Sequence, residues 1–113
     1  MINPEFAKAN TRNLCDVIAY QPGQIVSKTI TLKPTGTITV YAFAEGEEST
    51  AVVSAFDNLI QVIDGTALVL MNDHRVELMT GQVLTIPAHT LHKFVSKVQF
   101  KMVMTVIKSG YEM

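Results

Sequence analysis

Charge is in short supply in this chain. Only 17% of its 113 residues are Asp, Glu, Lys or Arg, and nine basic side chains nearly balance ten acidic ones, for a net charge of −1. That balance argues against the electrostatic footprint of a nucleic-acid-binding protein. Four of the basic residues, Lys93, Lys97, Lys101 and Lys108, fall near the C-terminus, spaced like solvated strand edges rather than a binding stripe. Cysteine is scarcer still, because Cys15 stands alone. A single cysteine excludes an internal disulfide framework and fits a reducing compartment. With no histidine near it in sequence, Cys15 is a poor candidate for a nucleophile. Long apolar runs are missing too. Nothing approaches the ~20 residues of a membrane span, and the opening MINPEFAKANTRN has no apolar core of a secretory signal. The expectation is a cytoplasmic protein that has neither a membrane nor a nucleic acid as partner.

What the chain does have is apolar residues, at 48% of the total, in a length that suits one domain over residues 1–113. A domain of this size buries roughly two-thirds of the surface its unfolded chain exposes. Residues 1–22 show no period-2 pattern and form an N-terminal arm. Residues 4–9 read as the start of a short helix, with Asn3 as its cap and Pro4 in first position. Residues 13–20 read as a further helical turn or an edge segment, and Pro22-Gly23 closes the arm with a turn.

From Ile25 onward, strand follows strand. Val26, Lys28, Ile30 and Leu32 alternate with Ser27, Thr29 and Thr31, and the chain then turns through Lys33-Pro34-Thr35-Gly36. Ile38, Val40, Ala42 and Ala44 alternate with Thr37, Thr39, Tyr41 and Phe43. Segments 50–54, 58–63, 66–71, 74–79, 83–86, 91–96 and 100–107 continue the series, with Asp64-Gly65 and Asn72-Asp73 read as turns. About nine short strands separated by turn residues predict a sandwich or barrel over residues 23–108. His74, just after a turn, is expected to be an exposed hairpin residue. Met71, Met79, Met102 and Met104 are expected to fill the core.

The most informative stretch is 81–94, GQVLTIPAHTLHKF. A glycine opens it, Val83 to Ile86 make a short strand, and Pro87 ends that strand because it has no N–H to give a ladder. His89 and His92 follow, with Leu91 and Phe94 resuming the apolar pattern. The frame resembles the second sequence motif of the cupin superfamily, in which a small residue usually stands at the position of His89. The resemblance implies an all-β fold, a cupin-type double-stranded β-helix (jelly-roll) barrel with a short N-terminal arm, and a histidine, His92, in the barrel mouth.

The first cupin motif usually supplies two histidines one residue apart, then a glutamate, then a glycine. Residues i and i+2 of a strand point to one face, so such a pair converges. Aligned on Gly65, the motif puts Asn58 where the glutamate belongs, and Val52 and Ser54, or Ala51 and Val53, where the histidines belong. None of these four replaces a histidine ligand, so His92 is the one matched member of the usual metal set. His89 and His92 are three apart and face opposite ways on a continuous strand, so only a turn after Pro87 would bring both inward. Asp57 reads as a turn residue, and Gln61 as a polar residue within an apolar run, on the opposite face from Asn58 unless a bulge intervenes.

The resulting expectation is a small-molecule ligand in the barrel, with His92, His89, Gln61 and Asn58 at its wall and no intact standard metal site. A divalent metal on His92 is the cofactor held open. Two alternatives stand beside it. One is a metal-dependent cupin enzyme, of dioxygenase or isomerase type, with atypical ligands around His92. The other is a non-catalytic structural or regulatory dimer whose barrel is filled by Phe56, Phe94 and the methionines. Residues 67–71, and the Val103 and Ile107 side of the last strand, are apolar on a second face that needs cover. Cupins commonly dimerise through sheet faces and exchanged N-terminal strands, so the resemblance implies a homodimer as the cover; a helix from residues 1–20 is the alternative.

Overall fold

The alternating segments form eight strands: β1 (Ile25–Lys33), β2 (Gly36–Phe43), β3 (Val52–Val53), β4 (Asn58–Met71), β5 (His74–Met79), β6 (Val83–Ile86), β7 (Leu91–Val95) and β8 (Phe100–Ile107). The computed structural model describes residues 6–108, so Asn3 and Pro4 of the expected first helix lie outside the described residues. All pairings are antiparallel. One sheet runs β1-β2-β8-β4-β6 and uses the first half of β4; the other runs β5-β4-β7-β3 and uses the second half.

The expected turn at Asp64-Gly65 is not a turn, and the nine strands become eight. Residues 58–63 and 66–71 are one 14-residue strand, Asn58–Met71, with a register shift against β8 between Val62 and Asp64. Asp-Gly is a hairpin signal because both residues tolerate positive φ. A glycine with positive φ serves equally well at a bulge, which bends a strand without reversing it. Gly65 has φ +79 and sits opposite Phe100, so close that a Cβ would collide with the carbonyl oxygen of Gln99.

On either side of this bend the inward residues continue one core. Asn58, Ile60 and Val62 before it, and Ala67 and Val69 after it, are buried. Phe43 stacks on Phe100 with ring centroids 4.5 Å apart and meets Phe94 edge-on at 6.1 Å. Burying each such ring contributes about 1.5–3 kcal/mol. The methionine expectation holds for Met102, which is fully buried, and for Met71 and Met104, which pack against the core. It fails for Met79, which is 58% exposed, because it points outward at the end of β5. His74 is exposed at the start of β5, as expected.

Part of the second apolar face, around Val103, is covered by the chain itself, while Ile107 stays 66% exposed. The arm makes a 3-10 turn at Leu14–Asp16 and buries Val17 and Ile18 against Val40 and Ala42, with Val103 and Ile63 packed around them. Polar clips hold it there. The Tyr20 hydroxyl donates to Asp64 Oδ2 at 2.6 Å, and the Cys15 thiol donates to the Ile63 carbonyl at 3.2 Å. Lys101 Nζ donates to the Cys15 carbonyl at 2.6 Å and lies 4.9 Å from the Tyr20 ring centre. The described part of the N-terminal segment thus takes a share of this cover, as an irregular strap around one 3-10 turn. Lys101 and Lys93, read from sequence as solvated edges, are instead engaged, Lys93 with Glu48 at 2.7 Å.

Two outcomes are expected. Gly65→Ala should cost about 3 kcal/mol of stability in urea melts, or prevent folding, because strain at positive φ adds to a backbone collision. Burial and the hydrogen bond to Asp64 push the Tyr20 phenol above its ordinary value near 10. The folded state therefore favours the protonated phenol, and this contribution is intact below pH ~10 and lost as pH rises above it. Tyr20→Phe should flatten the alkaline fall in stability between about pH 10 and 12, and an unchanged slope would show that Tyr20 does not carry it.

Candidate ligand-binding cavity

Between the two sheets lies a cavity of about 310 Å³. Ile25, Tyr41, Phe43, Met102 and Met104 line it from one sheet, and Val52, His92 and Phe94 from the other, with Ser49 and Thr50 from the loop before β3. Asn58 opens β4 and lines the same space. His92 sits mid-sheet, paired with Val52 on β3 and Met71 on β4.

His92 and Asn58 are 2% and 4% exposed. His92 Nδ1 lies 2.9 Å from the Thr90 carbonyl oxygen. A carbonyl only accepts, so Nδ1 carries the proton, and in the neutral ring Nε2 is left as an acceptor. That Nε2 has no partner, and neither has Asn58 Oδ1. Among the described residues these are the two buried side-chain polar atoms without a hydrogen bond, and both belong to the wall of one cavity. Leaving such a group unsatisfied costs about 1–3 kcal/mol. Tyr41, half-buried beside them, has its phenol pushed upward by burial, so its hydroxyl stays protonated and able to donate. Phe94 meets the His92 ring edge-on at 5.8 Å and fixes its plane.

The four residues expected at the wall divide evenly. His92 and Asn58 come together there. His89 and Gln61 do not. Gln61 is exposed on the outer side of β4, because the bulge falls after Val62 and leaves its alternation with Asn58 and Ile60 intact. His89 is exposed with φ +63, and the loop uses its backbone: its N–H donates to the Ser54 carbonyl at 2.7 Å. Asp57 lies outside the cavity, where its carboxylate accepts from the Ala88 N–H at 2.8 Å. These two bonds tie the loop before β4 to the loop before β7. Tyr41, Ser49, Thr50, Ile25 and Met104 are wall residues that the sequence reading did not single out. Inward alternation of Tyr41 with Phe43 was the available signal, but Val40 and Ala42 between them are equally apolar.

A metal fits this wall poorly. Among the described residues no three His, Cys, Asp or Glu side chains cluster to hold an ion. The cavity offers one imidazole nitrogen, an amide oxygen and hydroxyls, whereas zinc takes three or four protein ligands and a facial iron triad takes two histidines and a carboxylate. A larger depression of about 440 Å³ lies over Leu68 and Leu70, rimmed by Glu48, Asp73, Arg75 and Lys97. Among the described residues, no buried unpartnered polar side-chain atom belongs to its lining.

Two sheets sharing one long strand, with an inward histidine from the strand after the Pro87 turn, define a cupin-type antiparallel barrel. No family model matches the sequence, and no curated protein matches it. Solved structures do. A conserved protein of unknown function from Streptococcus pyogenes superposes with TM-score 0.89 at 23% identity, over 96% of this chain and 94% of that one. A cupin superfamily protein from Desulfitobacterium hafniense gives 0.86 at 24% identity, over 92% and 95%. A cupin 2 conserved barrel domain protein from Leptotrichia buccalis gives 0.83 at 30% identity, over 86% of this chain and 47% of that one. By its fold the chain is a member of the cupin superfamily. No helix among the described residues is long and apolar enough to cross a membrane.

The unpartnered acceptors make an unusual stability prediction. His92→Leu and Asn58→Leu, each tested without ligand, should raise stability by about 1–2 kcal/mol, because an apolar isostere removes an unmet hydrogen bond. A loss of stability in both would mean that these side chains serve the core as they stand.

Proposed function

We propose that this protein binds a small molecule inside its barrel, without the standard cupin metal centre. The single observation that carries the proposal is that His92 and Asn58, whose Nε2 and Oδ1 are buried without a partner, both belong to the wall of one cavity. Buried polar atoms are nearly always satisfied, and an exception calls for a partner. The walls supply the rest of a binding site: Phe43, Phe94 and the two methionines offer apolar contact, and a few polar groups set orientation. In this reading His92 and Asn58 accept hydrogen bonds from the ligand head, Tyr41 donates one, and the rings hold the body. The open space also favours binding over a structural barrel, because Phe94 and the methionines line the cavity without filling it.

A homodimer and a cytoplasmic location belong to the same proposal. Leu59, Val83 and Ile107 are 40%, 59% and 66% exposed, and a second copy would cover them.

Two measurements test the proposal. A library of single-ring compounds, charged and uncharged, is screened by the methyl signals of Met102 and Met104 in methionine-labelled protein. Shifts confined to these cavity methyls are expected, and a library that moves neither would sink the binding reading. Separately, protein incubated with zinc, iron, nickel and manganese salts and then desalted should retain far less than one equivalent of metal. Near-stoichiometric metal that disappears in His92→Ala would overturn the metal-free reading and restore the metal-dependent enzyme.

A further inference from the structure

The chemistry of the wall also restricts what can enter. No Asp, Glu, Lys or Arg lines the cavity, so a charged ligand would lose its hydration and find no counter-charge. The two unpartnered atoms are both acceptors. In the neutral ring the Thr90 carbonyl holds the proton on Nδ1 and leaves His92 Nε2 as the acceptor. A ligand head that only accepts, such as an ether or ketone, pairs with the Tyr41 hydroxyl at best and leaves His92 Nε2 unmet, whereas an O–H meets the imidazole directly. The volume, about 310 Å³, is on the order of ten water-sized volumes, which suits one ring with a short substituent. Phe43 and Phe94 present ring faces and edges, and Met102 and Met104 present sulfur, a set of partners that suits an aromatic body.

From these features we infer that the ligand is a small uncharged aromatic alcohol of the phenol class, bound through its hydroxyl proton to His92 Nε2. The inference rests on the barrel being the binding site, as proposed above. Asn58 Oδ1 offers the second acceptor, and the Tyr41 hydroxyl can donate back to the oxygen of the bound alcohol.

The test compares three matched probes at pH 7: 4-ethylphenol, its methyl ether 4-ethylanisole, and 4-ethylbenzoate. Binding is followed at the Met102 and Met104 methyls. 4-Ethylphenol should bind at least about tenfold more tightly than the ether, since a site built to pair with an O–H rejects the analogue that lacks it. His92→Leu should bring phenol and ether to within about twofold of each other, mainly by weakening the phenol. If His92→Leu does not give a folded amide spectrum, Asn58→Leu is read in the same way and should also narrow the gap. Ether or benzoate binding as tightly as the phenol at these methyls would overturn the ligand class and leave the barrel reading intact. Silence from all three would overturn the class, and the broader library then decides the barrel reading separately.

Discussion

The structure depends on one strand serving two sheets. β4 pairs with β6 and β8 through its first half and with β5 and β7 through its second, so the core between the sheets is continuous along a single chain segment. The bend that permits this is concentrated at the register shift beside Gly65, where the backbone passes too close to Gln99 for any side chain. Both the inside and the outside of the barrel use that bend. Inside, Ile60 and Val62 hand over to Ala67 and Val69 without a break in the apolar lining. Outside, Ile63 and Asp64 are left free to receive the arm through Cys15 and Tyr20. The site inherits its geometry from the same strand, with Asn58 at its first residue and Met71 beside His92 at its last.

Much of this was legible in the residues, and the errors have physical reasons. Period-2 alternation placed the strands because inward and outward side chains of a pleated strand differ in what they must touch. Asp64-Gly65 misled because one dipeptide satisfies both a tight turn and a bulge, and only the partner strand, here β8, decides between them. The spacing from Gly65 back to Asn58 was informative because it counts positions along one strand, and the structure puts Asn58 in the cavity with His92. His89 and Gln61 were chosen for their chemistry, and local geometry overrode both. Positive φ turns the His89 ring away, and an unbroken alternation keeps Gln61 outside. The cover of the outer sheet face could not be read locally, since the arm shows no periodicity and docks through contacts more than forty residues distant in sequence, such as Tyr20 with Asp64.

The wall of the cavity also fixes which chemistry it can meet. Where the second motif survives, His92 still faces inward, held by the turn after Pro87 and by Thr90. In the same wall, Val52 contributes an apolar side chain and Asn58 an uncharged amide. The electrostatic consequence is large. A carboxylate and several imidazoles would demand a cation, whereas one imidazole and one amide can be satisfied by protons on a neutral molecule.

Whether those two acceptors serve the fold or a ligand is decided by their energetics. A folded domain has a margin of only about 5–15 kcal/mol, and two buried acceptors left unpaired cost about 1–3 kcal/mol each. Nothing in the packing needs that expense, because Ile60, Phe94 and Met102 around them show that apolar side chains of similar size fit the same interior. On the proposed binding reading, the cost is recovered when a donor arrives. Since the acceptors are already desolvated and held in place, a hydrogen bond formed to them sacrifices little water and little side-chain freedom, which is the condition under which a single O–H discriminates strongly. The unpaired atoms are then, on the proposed binding reading, binding free energy held in reserve.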